Sequence, residues 1–178
     1  MVLKKPLKII ENIMKIKHPL STDTWDKKEF SAITNVLKSN LMTQGKYVRK
    51  FEKNFSNYLG TKYSVMVNSG SSANLLMIAS LFYTKDKKKK LLKGDEVIVP
   101  SIGWSTSYFP LHQYGLKLKF VDVDLHTLNF DIEKLEKAIN KRTRLIFAVN
   151  VCGNSNDFSK ILKLIRNKNI LLLEDNCE

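Results

Sequence analysis

Five short runs rich in Val, Ile, Leu and Phe alternate with four stretches of helical periodicity, and this alternation constrains the fold more than any other feature. The runs fall at residues 63–68, 95–99, 117–122, 144–149 and 170–174. Between them, 71–83, 105–114, 131–140 and 157–167 carry apolar residues at three- and four-residue spacing. Strands joined through helices run parallel, and a parallel sheet needs helices on both faces. The pattern therefore predicts an α/β protein: a three-layer α/β/α arrangement with a mostly parallel sheet. Asp131 is placed to cap the third of these helices, and Pro110 is expected to kink or break the second. Two helices precede the alternation. One is expected from about Trp25 to Lys38 with Thr22, Asp23 or Thr24 as N-cap, and one from Tyr47 to Leu59, stopped by Gly60. Residues 1–20 read as a basic, weakly ordered lead-in.

The first run passes into its helix through Asn68-Ser69-Gly70-Ser71-Ser72-Ala73-Asn74. A helix start carries N–H groups without intrahelical partners and the positive end of the helix dipole, so it suits a phosphate. Gly70 lets the backbone approach an anion, and the hydroxyls of Ser69, Ser71 and Ser72 add donors. The same residues also suit an ordinary N-capped helix, and both readings stand at this point. The turn matches neither dinucleotide-binding nor P-loop spacing. Two further features bear on it. Leu171-Leu172-Leu173 runs into Glu174-Asp175, and Val97-Ile98-Val99-Pro100 runs into a loop containing Trp104. A phosphate cradle, a strand-end carboxylate and a flat ring on one sheet edge form a plausible cofactor site, and pyridoxal phosphate needs these three elements. Without further support, Trp104 reads equally as half-buried packing and Asp175 as a helix cap.

Charge and cysteine content narrow the alternatives. The formal net charge is +13, which admits a basic nucleic-acid-binding α/β module as a competing class. The lysines are spread through every segment, however, and the dense run Lys85-Asp86-Lys87-Lys88-Lys89-Lys90 sits between a helix and a strand, where a solvated loop is the better reading. Cys152 and Cys177 show no metal or CxxC spacing and read as reduced cytosolic thiols. His18, His112 and His126 form no ligand pattern, so no metal is expected. No apolar run is long enough for a membrane helix, and the N-terminus lacks signal-peptide features, so a cytoplasmic location is expected.

Read in order, the motifs resemble the DegT-type sugar aminotransferase family. Thr43-Gln44-Gly45, Val48 and Phe51-Glu52-Lys53-Asn54-Phe55 match its first block, and Asn68 to Asn74 its phosphate turn. Gly94-Asp95-Glu96-Val97-Ile98-Val99-Pro100, Phe120-Val121-Asp122-Val123-Asp124 and Glu174-Asp175 match three later strands. Asn150 stands where typical members have a histidine. Together with Trp104-Ser105-Thr106 and Glu174-Asp175-Asn176-Cys177-Glu178, this points to the nucleotide-sugar 3-dehydratase branch, which acts on GDP- or CDP-linked 4-keto-6-deoxy sugars. The resemblance implies the large domain of a fold-type-I pyridoxal-phosphate enzyme, with residues 21–178 as its N-terminal part. Gly70, Ser71 and Ser72 would hold the cofactor phosphate, Trp104 would stack on the ring, and Asp175 would pair with the ring nitrogen. Glu178 would approach the ring hydroxyl, and Thr43 and Gln44 would line the sugar entrance. It further implies pyridoxamine phosphate as the working form, a glutamate-type amino donor, a homodimer, and a histidine or lysine base beyond Glu178. A sugar 4-aminotransferase of the same fold is the alternative. The chain stops just past its last strand without a covering helix, and is expected to be a fragment, inactive and poorly stable alone.

Overall fold

The computed structural model describes residues 23–177. The described residues divide into two compact units, the first ending at Met66 and the second starting at Val67. The first unit holds helices α1 (Lys27–Lys38) and α2 (Lys46–Leu59). The cap of α1 is Asp26, later than the three residues expected. Its carboxylate accepts from Lys28 N at 2.6 Å, while Glu29 reaches back to Asp26 N at 2.8 Å. This reciprocal box satisfies two donors at once, whereas Asp23 closes only a local turn onto Trp25 N. α2 ends where expected, on Gly60 in the left-handed conformation at φ 67°.

The expected strand at 63–68 does not form, and the segment takes no ladder partner among the described residues. Two of its polar groups bond to α2 instead. Met66 N donates to Glu52 Oε1 at 2.9 Å, and Ser56 Oγ to Ser64 Oγ at 2.8 Å. Alternation of apolar residues gives strand propensity, but only a neighbouring strand completes the backbone bonding.

The second unit runs α3 (Gly70–Tyr83), β1 (Glu96–Pro100), α4 (Ser105–Gln113), β2 (Lys117–Val121), α5 (Ile132–Ala138), β3 (Thr143–Val149), a short 3-10 turn (Val151–Gly153), α6 (Phe158–Ile165) and β4 (Leu171–Asp175). All four strands pair in parallel in the order β2-β1-β3-β4. Successive side chains of a strand point to opposite faces. Val97, Val99, Leu145, Phe147 and Val149 accordingly pack against Ile78 of α3 and Leu111 of α4. Ile98, Ile146 and Ala148 pack on the other face against Leu135 of α5 and Ile161 and Ile165 of α6. The result is the expected α/β/α three-layer arrangement. Asp131 caps α5 by accepting from Glu133 N and Lys134 N, and Asp157 caps α6 through Lys160 N.

Pro110 lies inside α4 without ending it. A proline cannot donate to the carbonyl four residues earlier, here Thr106. That oxygen instead accepts from Asn74 Nδ2 at 3.4 Å, so α4 continues to Gln113. The lysine-rich run forms the exposed loop before β1, where Arg144 donates to the carbonyls of Lys88 and Lys90. His112 and His126 are exposed, and His18 lies outside the described residues. Among the described residues no helix is long and apolar enough to cross a membrane.

Phe147 is fully buried at the centre of β3, whereas Leu125 is 83% exposed. Phe147→Ala should lower stability by about 3–5 kcal/mol, and Leu125→Ala should stay within about 0.5 kcal/mol. Urea unfolding of the two variants checks the contrast.

Candidate functional site

The carboxyl ends of parallel strands leave an edge from which loops depart and toward which following helices point their N-termini, and sites collect there. On this edge a cavity of about 150 Å³ is lined by Gly70, Asn74, Trp104, Thr106, Ser107, Val149, Asn150, Asp175 and Cys177. Three of the residues singled out from the sequence, Gly70, Trp104 and Asp175, therefore meet in one place.

Each is set there by its element. Ser69 caps α3, its hydroxyl accepting from Ser72 N at 3.2 Å. Ser72 Oγ donates to Asn68 Oδ1 at 2.7 Å, which turns Ser72 inward onto the turn. The first intrahelical bond is Ala73 N to Ser69 O, so the N–H groups of Gly70 and Ser71 lie ahead of the ladder. A Cβ on Gly70 would come within 3.1 Å of Cys177 Sγ, so the turn and the residues after β4 approach closely here. Trp104 is the N-cap of α4, lines the cavity and is 69% exposed as a residue.

Asp175 ends β4 and is buried. Its Oδ2 accepts from Ser107 Oγ at 2.7 Å and from Asn74 Nδ2 at 2.8 Å. Its Oδ1 accepts from Cys177 N at 3.2 Å. A carboxylate oxygen can take two donors, so Oδ2 is satisfied and Oδ1 keeps an open acceptor position. Asp175 is thus a buried carboxylate oriented by the side chains of two other residues.

The turn after β3 lies beside it. Asn150 N donates to Asp175 O at 3.1 Å, and Asn150 Nδ2 to Asn176 Oδ1. Asn150 Oδ1 accepts from both Asn156 N and Asn156 Nδ2 at 2.9 Å. Cys152 in this turn holds φ 55°, a left-handed conformation uncommon outside glycine. Thr43 and Gln44 lie exposed in the loop between α1 and α2 of the first unit, and Glu178 lies outside the described residues. No cluster of His, Cys, Asp or Glu suited to a metal occurs among the described residues.

Sequence reasoning missed Asn74 and Ser107 as members of the site. Both carry a readable signal. Asn74 is a polar residue at the head of the apolar stretch Leu75-Leu76-Met77-Ile78-Ala79. Ser107 follows Trp104 by three residues, which places both on one side of a helix.

The chain belongs to the DegT/DnrJ/EryC1/StrS aminotransferase family, whose model matches residues 23–178. Among curated relatives it is 56% identical over 163 residues to a GDP-4-keto-6-deoxy-D-mannose 3-dehydratase of Yersinia pseudotuberculosis, and 55% identical over 163 residues to one of Escherichia coli O55:H7. The alignments cover 92% of this chain and 41% and 42% of those proteins, so the chain spans about two fifths of their length. A crystal structure of a GDP-4-keto-6-deoxymannose-3-dehydratase with a trapped PLP-glutamate geminal diamine superposes with a TM-score of 0.87 at 54% identity, over 90% of this chain and 41% of that one.

Tyr108 provides a probe of the site's electrostatics. Its hydroxyl donates to Pro100 O at 2.9 Å. Burial first, and the negative charge of Asp175 second, push its phenol from 10.0 up to about 12. The neutral phenol therefore stabilises the fold fully below pH 10, and this contribution is lost as the pH rises towards about 12. The tyrosinate absorbance of the full-length protein should show a late component that Tyr108→Phe removes. Asp175→Asn should move that component to lower pH while leaving it above the ordinary value.

Proposed function

We propose that the full-length protein carrying this chain is a pyridoxal-phosphate-dependent 3-dehydratase of a nucleotide-linked 4-keto-6-deoxy sugar, with the GDP-linked mannose form as first candidate. The observation that carries the cofactor assignment is the cavity in which buried Asp175, the exposed face of Trp104 and the glycine turn of α3 converge. The similarity to 3-dehydratases supports the reaction and substrate class.

The residues present fit a phosphorylated pyridine. Gly70 and Ser71 offer N–H groups ahead of the helical ladder, at the positive end of the α3 dipole, for the phosphate. The absence of a side chain at Gly70 keeps that approach open beside Cys177. The Ser71 hydroxyl adds a donor to the cradle, and Ser72, bonded to Ser69 and Asn68, holds the turn in shape. Trp104 covers one ring face. Asp175, with Oδ1 still able to accept, holds the proton on the ring nitrogen. When bound, the cofactor supplies an amine for the sugar ketone and a protonated ring that withdraws electrons from the neighbouring C–H bond. Maintaining that ring proton is the part of the chemistry these residues perform.

By the same reading, Glu178 contacts the ring hydroxyl, Thr43 and Gln44 border the sugar, and residues 21–178 form the N-terminal part of the cofactor-binding large domain. The proton-abstracting base, a histidine in the dehydratase reading, lies outside these residues. A glutamate-type amino donor, a homodimeric assembly and a cytoplasmic role in deoxysugar synthesis for surface polysaccharide complete the assignment. The family's aminotransferase members support the second reading, a sugar 4-aminotransferase.

Incubation of the full-length protein with pyridoxamine phosphate, an amino donor and GDP-4-keto-6-deoxymannose decides between the two by NMR of the product. Loss of the C3 hydroxyl is the expected outcome, and an amine at C4 with the C3 hydroxyl intact would replace the dehydratase by the aminotransferase. In the same assay Asp175→Asn should reduce turnover by about 100-fold or more, while retention of pyridoxal phosphate, followed by absorbance, persists through the phosphate cradle.

A further inference from the structure

We infer that Asn74 is a positioning residue which joins the carboxylate Asp175 to the helix that carries Trp104, and that it supplies the donor which Pro110 withholds from the Thr106 carbonyl. The inference concerns the site assigned above and rests on that assignment for its catalytic consequence.

Asn74 is 4% exposed in the second turn of α3, a helix whose other fully buried side chain is Ile78. A polar side chain at such a position costs free energy unless its donors are used. Both are used, and on different elements: Nδ2 donates to Asp175 Oδ2 at the end of β4 and to Thr106 O in α4. Both partners are acceptors, so the chemistry fixes which end of the amide faces them. Pro110 leaves that second acceptor without its helical donor. Any other residue at 110 would donate its own N–H to the Thr106 carbonyl, whose second lone pair would still be open to Asn74. Proline leaves that carbonyl open, and Asn74 closes it.

The geometry ties three parts of the site to one amide. α3 presents the glycine turn, α4 presents Trp104 and Ser107, and β4 presents Asp175. Ser107 supplies the other donor to Asp175 Oδ2 at 2.7 Å. With Oδ2 held by Asn74 and Ser107, the carboxylate cannot rotate freely, and the less occupied Oδ1 is the oxygen left to meet a ligand. Ser107 alone would leave the carboxylate held from one side, by the helix whose position Asn74 itself fixes.

Asn74→Leu and Pro110→Ala, singly and together, test this in the full-length protein. In the ligand-free protein Asn74→Leu leaves the Thr106 carbonyl without a donor and should lower the melting temperature. Pro110→Ala restores the helical N–H, so the double variant should recover the part of that loss due to Thr106. Catalysis should behave differently. Asn74→Leu and the double variant should both lose about tenfold or more in kcat, the scale of one hydrogen bond to a charged group, with KM for the nucleotide sugar within about twofold. The ring nitrogen of bound pyridoxal phosphate, followed by absorbance against pH, should lose its proton at lower pH in both, while Pro110→Ala alone resembles the parent protein. A double variant no more stable than Asn74→Leu would refute the link through Thr106. A double variant with the kcat and absorbance profile of Pro110→Ala would refute the role toward Asp175. If the parent protein binds no pyridoxal phosphate, the proposed function fails, and the ligand-free melting series still decides the link between Asn74 and Pro110.

Discussion

The double-sided burial of β3 is the constraint from which the rest of the molecule follows. Its residues alternate strictly, with Leu145, Phe147 and Val149 facing one helical layer and Ile146 and Ala148 the other. A strand buried on both faces must be paired on both edges, since no water is available to its backbone. It pairs with β1 on one side and β4 on the other. The register with β4 sets Val149 opposite Asp175. The end of the central strand thereby fixes the height at which the carboxylate stands and the depth of the cavity floor.

The fold was legible in the sequence to the extent that it depends on local periodicity. The alternation of apolar runs and helical stretches located four strands and the helices between them within a residue or two. It failed for 63–68, which has the apolar alternation of a strand without a neighbouring backbone to bond, a nonlocal requirement that periodicity does not carry. It also misplaced the start of α1, because Asp23 and Asp26 are both suitable caps and only Asp26 has a glutamate three residues on. Pro110 was read by its usual local effect. That effect was offset by a side chain 32 residues away in the chain.

The site divides along the same line. Gly70, Trp104 and Asp175 each stand out within a short motif, and ordered motifs along one chain place them on one edge of a sheet. Asn74 and Ser107 act on a residue 101 and 68 positions distant. Their polarity is visible in the sequence but their partner is not, since serine and asparagine near helix starts ordinarily bond their own backbone. Residues that a short motif singles out can be found in the sequence; residues that orient them become apparent only when the packing is known.

The turn after β3 gives the cavity floor a particular indifference to acidity. Asn150 stands where an imidazole would gain and lose a proton near neutral pH. Its bonds run to Asn156 and Asn176, so three primary amides share the network. Amides offer the same donors and acceptors in mildly acidic and mildly alkaline solution. The Asp175 carbonyl rests on the Asn150 N–H, so the neutral amides of Asn150 and Asn156 beneath it neither gain nor lose a proton across that range.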